Sequence, residues 1–148
     1  MKDLLNRTQQ ILCKTAVAAG TTDITDATAV DTSGYNGVMF IFAFGAITTG
    51  AVTSVKACGL DTSNPATTTD DLAGSAITVA DSYDDQIVVM DIYRPTTRYV
   101  RPWVDRGTQN AVVNSIVAIL YDPIKVPVTA DSSVAISELN VSPIAGTA

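Results

Sequence analysis

Residues Gly34 to Thr48 read GYNGVMFIFAFGAIT. At a period of two, Val38, Phe40, Phe42 and Phe44 fall on one side of a strand and Met39, Ile41 and Ala43 on the other. A strand with water on one face alternates apolar with polar, whereas this one is apolar on both. Its own domain supplies one cover, and the pattern asks for a second, from another molecule or from a loop or arm of the same chain. Gln86 to Tyr93 repeats the pattern, with Ile87, Val89, Asp91 and Tyr93 alternating against Val88, Met90 and Ile92.

Working outward, turn residues cut the chain into further short strands: Gln10 to Ala18, Ala27 to Thr32, Val52 to Cys58, Ala76 to Ala80, Tyr99 to Asp105 and Ala111 to Tyr121. Ser33-Gly34 and Asn36-Gly37 predict a hairpin into the Phe-rich strand. Thr48-Thr49-Gly50 predicts a second, making Val52 to Cys58 the partner of that strand, and Arg106 to Asn110 predicts a third. Asp61 to Ser75 reads as a long Asp-, Thr-, Pro- and Gly-rich loop. With no long amphipathic helical stretch, the pattern predicts an all-β fold, a β-sandwich or jelly-roll-like single domain over 15–128. Residues 1–14 are expected to form an N-terminal arm and residues 129–148, with scattered single aliphatics, a C-terminal extended arm.

The 148 residues suffice for one domain that needs no metal or disulfide staple. Charged residues make up only 16% of the chain, so its surface is rich in hydroxyl and small side chains and suits packing against protein. A net charge of -6 argues against a nucleic-acid partner, since phosphate binding rests on clustered Lys and Arg. The apolar runs are too short for a membrane helix, and the start, MKDLLNRTQQILCK, lacks the apolar core of a secretion signal. The expectation is a protein kept in the cytoplasm where it is made, with Cys13 and Cys58 as free, mostly buried thiols.

Chemistry is thinly represented. There is no histidine, which removes the usual general base and the commonest metal ligand. Asp70-Asp71 and Asp84-Asp85 could in principle meet as a calcium site or an acid and base pair, but without EF-hand spacing turn capping is the better account. No catalytic residue, cofactor or metal ligand is assigned. The most informative polar stretch is RPTTRYVRPWVDR, Arg94 to Arg106, which carries Arg94, Arg98, Arg101, Arg106, Tyr99 and Trp103. Arginine and large aromatics anchor interfaces. Tyr99, Arg101, Trp103 and Asp105 share one face of this strand, and Pro102, which cannot donate to a ladder, predicts an edge or a bend.

Three segments, AVDTSGYNGVMFIFAFGAIT (Ala29 to Thr48), TRYVRPWVDR (Thr97 to Arg106) and VAILYDPIKVPV (Val117 to Val128), resemble a family of small tailed-bacteriophage decoration (cement) proteins encoded near the major capsid protein. The matching features are Val30, Asp31, Gly34 and Tyr35, then Arg98 to Arg101, then the proline-containing exit Pro123 to Pro127. Cys58-Gly59-Leu60 and Pro102 depart from the pattern. The resemblance implies a non-enzymatic virion protein on the capsid exterior that binds the major capsid protein as a homo-oligomer, commonly a trimer. On that expectation Met39, Ile41, Val88 and Met90 face a sister subunit, while Arg94, Arg98, Arg101, Trp103 and Arg106 meet capsid or neighbours. Two alternatives stand beside it: a head-to-tail joining or tail structural protein, and a carbohydrate- or receptor-binding sandwich with Trp103, Tyr99 and Tyr93 as a stacking platform.

Overall fold

A computed structural model describes residues 3–62, 70–107, 110–141 and 145–146. The strands among them are β1 (Gln9–Lys14), β2 (Val17–Gly20), β3 (Val30–Asp31), β4 (Tyr35–Ile47), β5 (Thr53–Leu60), β6 (Ile77–Val79), β7 (Ile87–Tyr93), β8 (Tyr99–Arg106) and β9 (Ala111–Pro123). They form two antiparallel sheets. The first runs β1-β9-β4-β7, with β2 also on β9, and the second runs β3-β8-β5-β6. The fold is all-β, two sheets compatible with a β-sandwich, as the sequence predicts.

The sheets share one core. Val38, Phe40, Phe42 and Phe44 of β4 point into it with Met90, Ile116, Ala118 and Leu120, and Val30, Val55, Ala57, Val79, Val100 and Val104 come from the second sheet. Burying each of the larger of these side chains contributes about 1.5 to 3 kcal/mol. Thus the Phe face of the opening stretch is the core face.

Pairing differs from the sequence expectation. β4 bonds to β7 and β9, not to β5, so the strand after Thr48-Thr49-Gly50 belongs to the other sheet. Likewise β3 bonds to β8, and β8 and β9 lie in different sheets. All three predicted hairpins are therefore links between sheets; among the described residues only β5 and β6 are chain neighbours that bond to each other. The turn chemistry is real but serves another purpose. Gly34 holds a φ of 89° just after Thr32, where the Tyr35 amide donates to the Thr32 carbonyl, and this lets the chain leave one sheet for the other.

Two further boundaries shift. The strand expected over Gln10 to Ala18 is β1 and the start of β2, and β1 takes up the end of the expected 1–14 arm because Ile11 and Cys13 turn inward against β9. β8 is an inner strand between β3 and β5, not an edge. Its β3 side, however, is paired only at Tyr99 and Val100 and again at Val104, which bridges Ile24, so lateral pairing lapses around Pro102. Of the long Asp61 to Ser75 loop, residues 63–69 lie outside the described residues; at its end, Leu72 donates to the Ala57 carbonyl. The predicted turn at residues 106–110 also includes undescribed residues, 108 and 109.

Candidate functional site: two unlike outer faces

Directly opposed residues of an antiparallel pair share a face. On the first sheet this rule lines up the outward side chains in rows. Leu12, Val117, Ile41 and Val89 form one row across β1, β9, β4 and β7. Gln10, Ile119, Met39 and Asp91 form the next, and Ser115, Ala43 and Ile87 flank the first row on its other side. Leu12, Ile87 and Val89 are 40%, 62% and 44% exposed, and Met39, Ile41, Val117 and Ile119 are half-buried by one another. The apolar side of the opening stretch is thus one patch of a surface that crosses the whole sheet.

Met39 and Ile41 sit on this surface as expected, but Val88 and Met90 do not. Val88 pairs with Phe42 and Met90 with Phe40, so both turn inward; Met90 is only 4% exposed. Both parities of β7 are mostly apolar, and the one sequence sign of which set faces out is the charged Asp91, which shares its parity with Ile87 and Val89. Ile87 and Val89 take the places expected for Val88 and Met90. Leu12, Val117 and Ile119 join the surface beyond the sequence expectation, although the apolar run Ile116 to Leu120 carries the same two-faced signal.

One end of the surface is fenced by a polar bridge. The Tyr121 hydroxyl donates to Asp91 Oδ1 at 2.7 Å, reaching from β9 to β7 across Gly37 of β4. A Cβ at Gly37 would collide with the Tyr121 ring, so a glycine is what lets the ring lie flat there. Burial, then the neighbouring Asp91 carboxylate, push the Tyr121 phenol up to about 12.

The outer face of the second sheet is built from opposite chemistry. Lys56 of β5 stands opposite Trp103 of β8, its Nζ 5.2 Å from the ring centroid. Lys56 Nζ lies 3.1 Å from Asp71 and 3.5 Å from Asp105. Trp103 Nε1 donates to Asp105 Oδ1 at 2.8 Å, and Cys58 Sγ to Asp71 Oδ1 at 3.2 Å. Burial works against the Lys56 ammonium, but Asp71 and Asp105 outweigh it and raise its pKa above the ordinary lysine value. Cys13 and Cys58 are free and buried, with burial first among the causes that push both thiols up to about 12, so they are protonated and unreactive at neutral pH.

The Arg94 to Arg106 segment is mostly engaged within the chain. Trp103 is 6% exposed, leaving little ring for a partner or a sugar to stack on. Arg106 is 5% exposed, and its guanidinium donates to the carbonyls of Thr22, Ala18 and Ala111 at 2.7, 2.8 and 3.0 Å, tying β2 and the following turn to β9. Arg101 donates to the Thr25 carbonyl. Arg98 is exposed and forms a fork on Asp31, with Nη2 at 2.8 Å, which lowers the Asp31 pKa. Arg94, also exposed, lies against Tyr93 at 5.2 Å and has a φ of 52°. These two line an open cleft of about 540 Å³ with Thr32, Ser33, Tyr35 and Asn36.

The paired aspartates serve separate local tasks. Asp71 takes Lys56 and Cys58, while Asp84 accepts from the Ile47 amide. Among the described residues no three His, Cys, Asp or Glu side chains cluster at metal-binding distance. Comparison of the chain with protein-family models finds no match, and neither does comparison with curated proteins.

Proposed function

We propose that the protein is a non-enzymatic bacteriophage virion component, a head decoration protein that binds the outer surface of the capsid as a homo-oligomer and stabilises it. The observation that carries this reading is the apolar outer face of the first sheet. A single copy leaves Leu12, Ile87 and Val89 open to water beside Ile41 and Val117, and the ordinary way to hide such a surface is a second copy. The low charge of the chain points the same way.

The strand order supports a jelly roll in particular. Leaving β2 aside, β1, β4, β7 and β9 make one sheet and β3, β5, β6 and β8 the other, so the chain repeatedly crosses between layers. Double-sheet wrapping of this kind is used by viral capsid domains and by lectins. Between these two uses, the enclosure of Trp103 favours the virion role: it takes the largest ring out of the Trp103, Tyr99 and Tyr93 platform and leaves Tyr93 as its exposed ring.

Size exclusion with light scattering on the purified protein, followed by mixing with capsids that lack it, tests the proposal. The expected results are a mass of three chains and capsids that withstand higher temperature once the protein is bound. A ring of six or more copies that ignores capsids would favour a head-to-tail joining or tail component instead. A monomer that binds no capsid would end the proposal.

A further inference from the structure

The chain carries its own candidate cover for the apolar face. After β9 the C-terminal segment runs back along the free edge of β1: the Val128 amide donates to the Asn6 carbonyl, Gln9 Nε2 to the Thr129 carbonyl, and the Leu12 amide to Ser133 Oγ. Asp131 closes the strap, accepting from the Ser133 amide and hydroxyl at 2.8 and 2.7 Å. The strap ends beside Leu12, at the rim of the apolar surface.

Beyond it the attachment stops. Residues 135–141 are exposed and make no hydrogen bond among the described residues, and they carry Ile136, Leu139 and Val141 at 88%, 46% and 79% exposure. One chain therefore holds two unpartnered apolar features, a sheet face and a peptide segment. The segment leaves from the rim of the face without covering it, since Ile87 and Val89 of the same copy remain open. At ~3.3 Å per residue, Val134 to Val141 extended reaches ~25 Å, whereas crossing from β1 to β7 at ~4.8 Å per strand needs ~14 Å.

We infer that residues 135–141 of one copy lie across the outer face of the first sheet of a second copy, with Ile136, Leu139 and Val141 against Ile41, Val89 and Ile87. The inference rests on the self-association in the proposed function and not on the capsid. In an extended peptide Val134 and Ile136 share one side and Leu139 and Val141 the other, so laying Ile136 on the sheet together with Leu139 and Val141 takes a half-turn of the segment at Ser137-Glu138. The bonds up to Val134, whose amide donates to the Asp131 carbonyl, stay with the parent copy, so the exchange draws on the exposed residues 135–141.

Two chains are compared by light scattering at equal concentration: the full chain and one ending at Ser133. The expected outcome is an oligomer for the full chain and a single-chain mass for the shortened one, with the same far-ultraviolet circular dichroism. A shortened chain that keeps the oligomer mass overturns the exchange while leaving self-association intact; a monomeric full chain overturns both. Should the shortened chain misfold, the full-length Ile136→Asp, Leu139→Asp variant provides the same reading. Direction is set by mixing a Val89→Cys chain with chains carrying Ile136→Cys, Leu139→Cys or Val141→Cys under oxidation. An interchain disulfide between the two kinds of chain is expected. A bond that forms only when both cysteines are in one chain places the segment on its own face and overturns the exchange.

Discussion

The two outer faces of this sandwich cover the same core from opposite sides and yet solve the problem of water differently. On the second sheet Lys56, Trp103, Asp105, Asp71 and Cys58 satisfy one another, so that the tryptophan is enclosed by its own chain. On the first sheet Leu12, Val117, Ile41 and Val89 line up side by side, and the described residues leave Leu12 and Val89 open to water. The first arrangement stabilises a monomer; the second leaves apolar side chains in water, which the proposed self-association would bury. As the place for the proposed partner, the apolar face is a better candidate than the arginine-rich segment, because most of those arginines already have partners at home.

The sharpest way to break the comparison is to remove the central side chain of the enclosed face. Trp103→Ala deletes a buried ring and leaves Lys56 and Asp105 without their shared neighbour, and such truncations cost about 3 to 5 kcal/mol. Val89→Ser, on the apolar face, is expected to change the unfolding free energy of the fold by less than about 0.5 kcal/mol. Urea denaturation of the two variants, at concentrations where each is a single chain, checks the difference. Equal losses would mean that the apolar face is as much part of the folded monomer as the tryptophan face.

A smaller effect is expected where the apolar face meets its polar fence. Gly37→Ala drives a Cβ into the Tyr121 ring, so the ring must swing out and release Asp91. Overpacking of this kind costs about 1 to 3 kcal/mol, at the low end here because a side chain can move more easily than backbone. Combining it with Tyr121→Ser should recover much of the loss in a thermal melt. No recovery would place the strain in β4 itself.

These residues also show what could be read in advance. The two-faced apolar strand at Val38 to Phe44, the all-β class and the enclosed thiols were legible, because side-chain parity and composition are local properties. Pairing was not. Gly34, Thr48-Thr49-Gly50 and Arg106-Gly107 carry the chemistry of tight turns, and the same residues serve a link between sheets as well as a hairpin within one. Val88 and Met90 face the core against expectation for a related reason: both parities of β7 are mostly apolar, so the single Asp91 beside Ile87 and Val89 is a weak signal until the register of Phe40 with Met90 settles it. The Lys56, Asp71 and Asp105 network joins residues distant in sequence, and no spacing rule brings them together.

The mildest test of the comparison titrates the fence without moving it. Tyrosine in an unfolded chain ionises near ~10, whereas Tyr121 in the folded protein is pushed up to about 12 by burial and by Asp91. A raised folded-state value means that the protonated phenol is favoured by folding. Its contribution is therefore complete below pH ~10 and lost as pH rises through about 12. Absorbance at the tyrosinate band, followed with pH, should show a late phase that disappears in Tyr121→Phe and moves downward in Asp91→Asn, since the amide cannot repel the phenolate as the carboxylate does. If Asp91→Asn leaves the phase where it was, burial alone raises the phenol. The apolar surface would then extend past Gly37 to Tyr121 and Tyr93, making it wider than the polar bridge suggests.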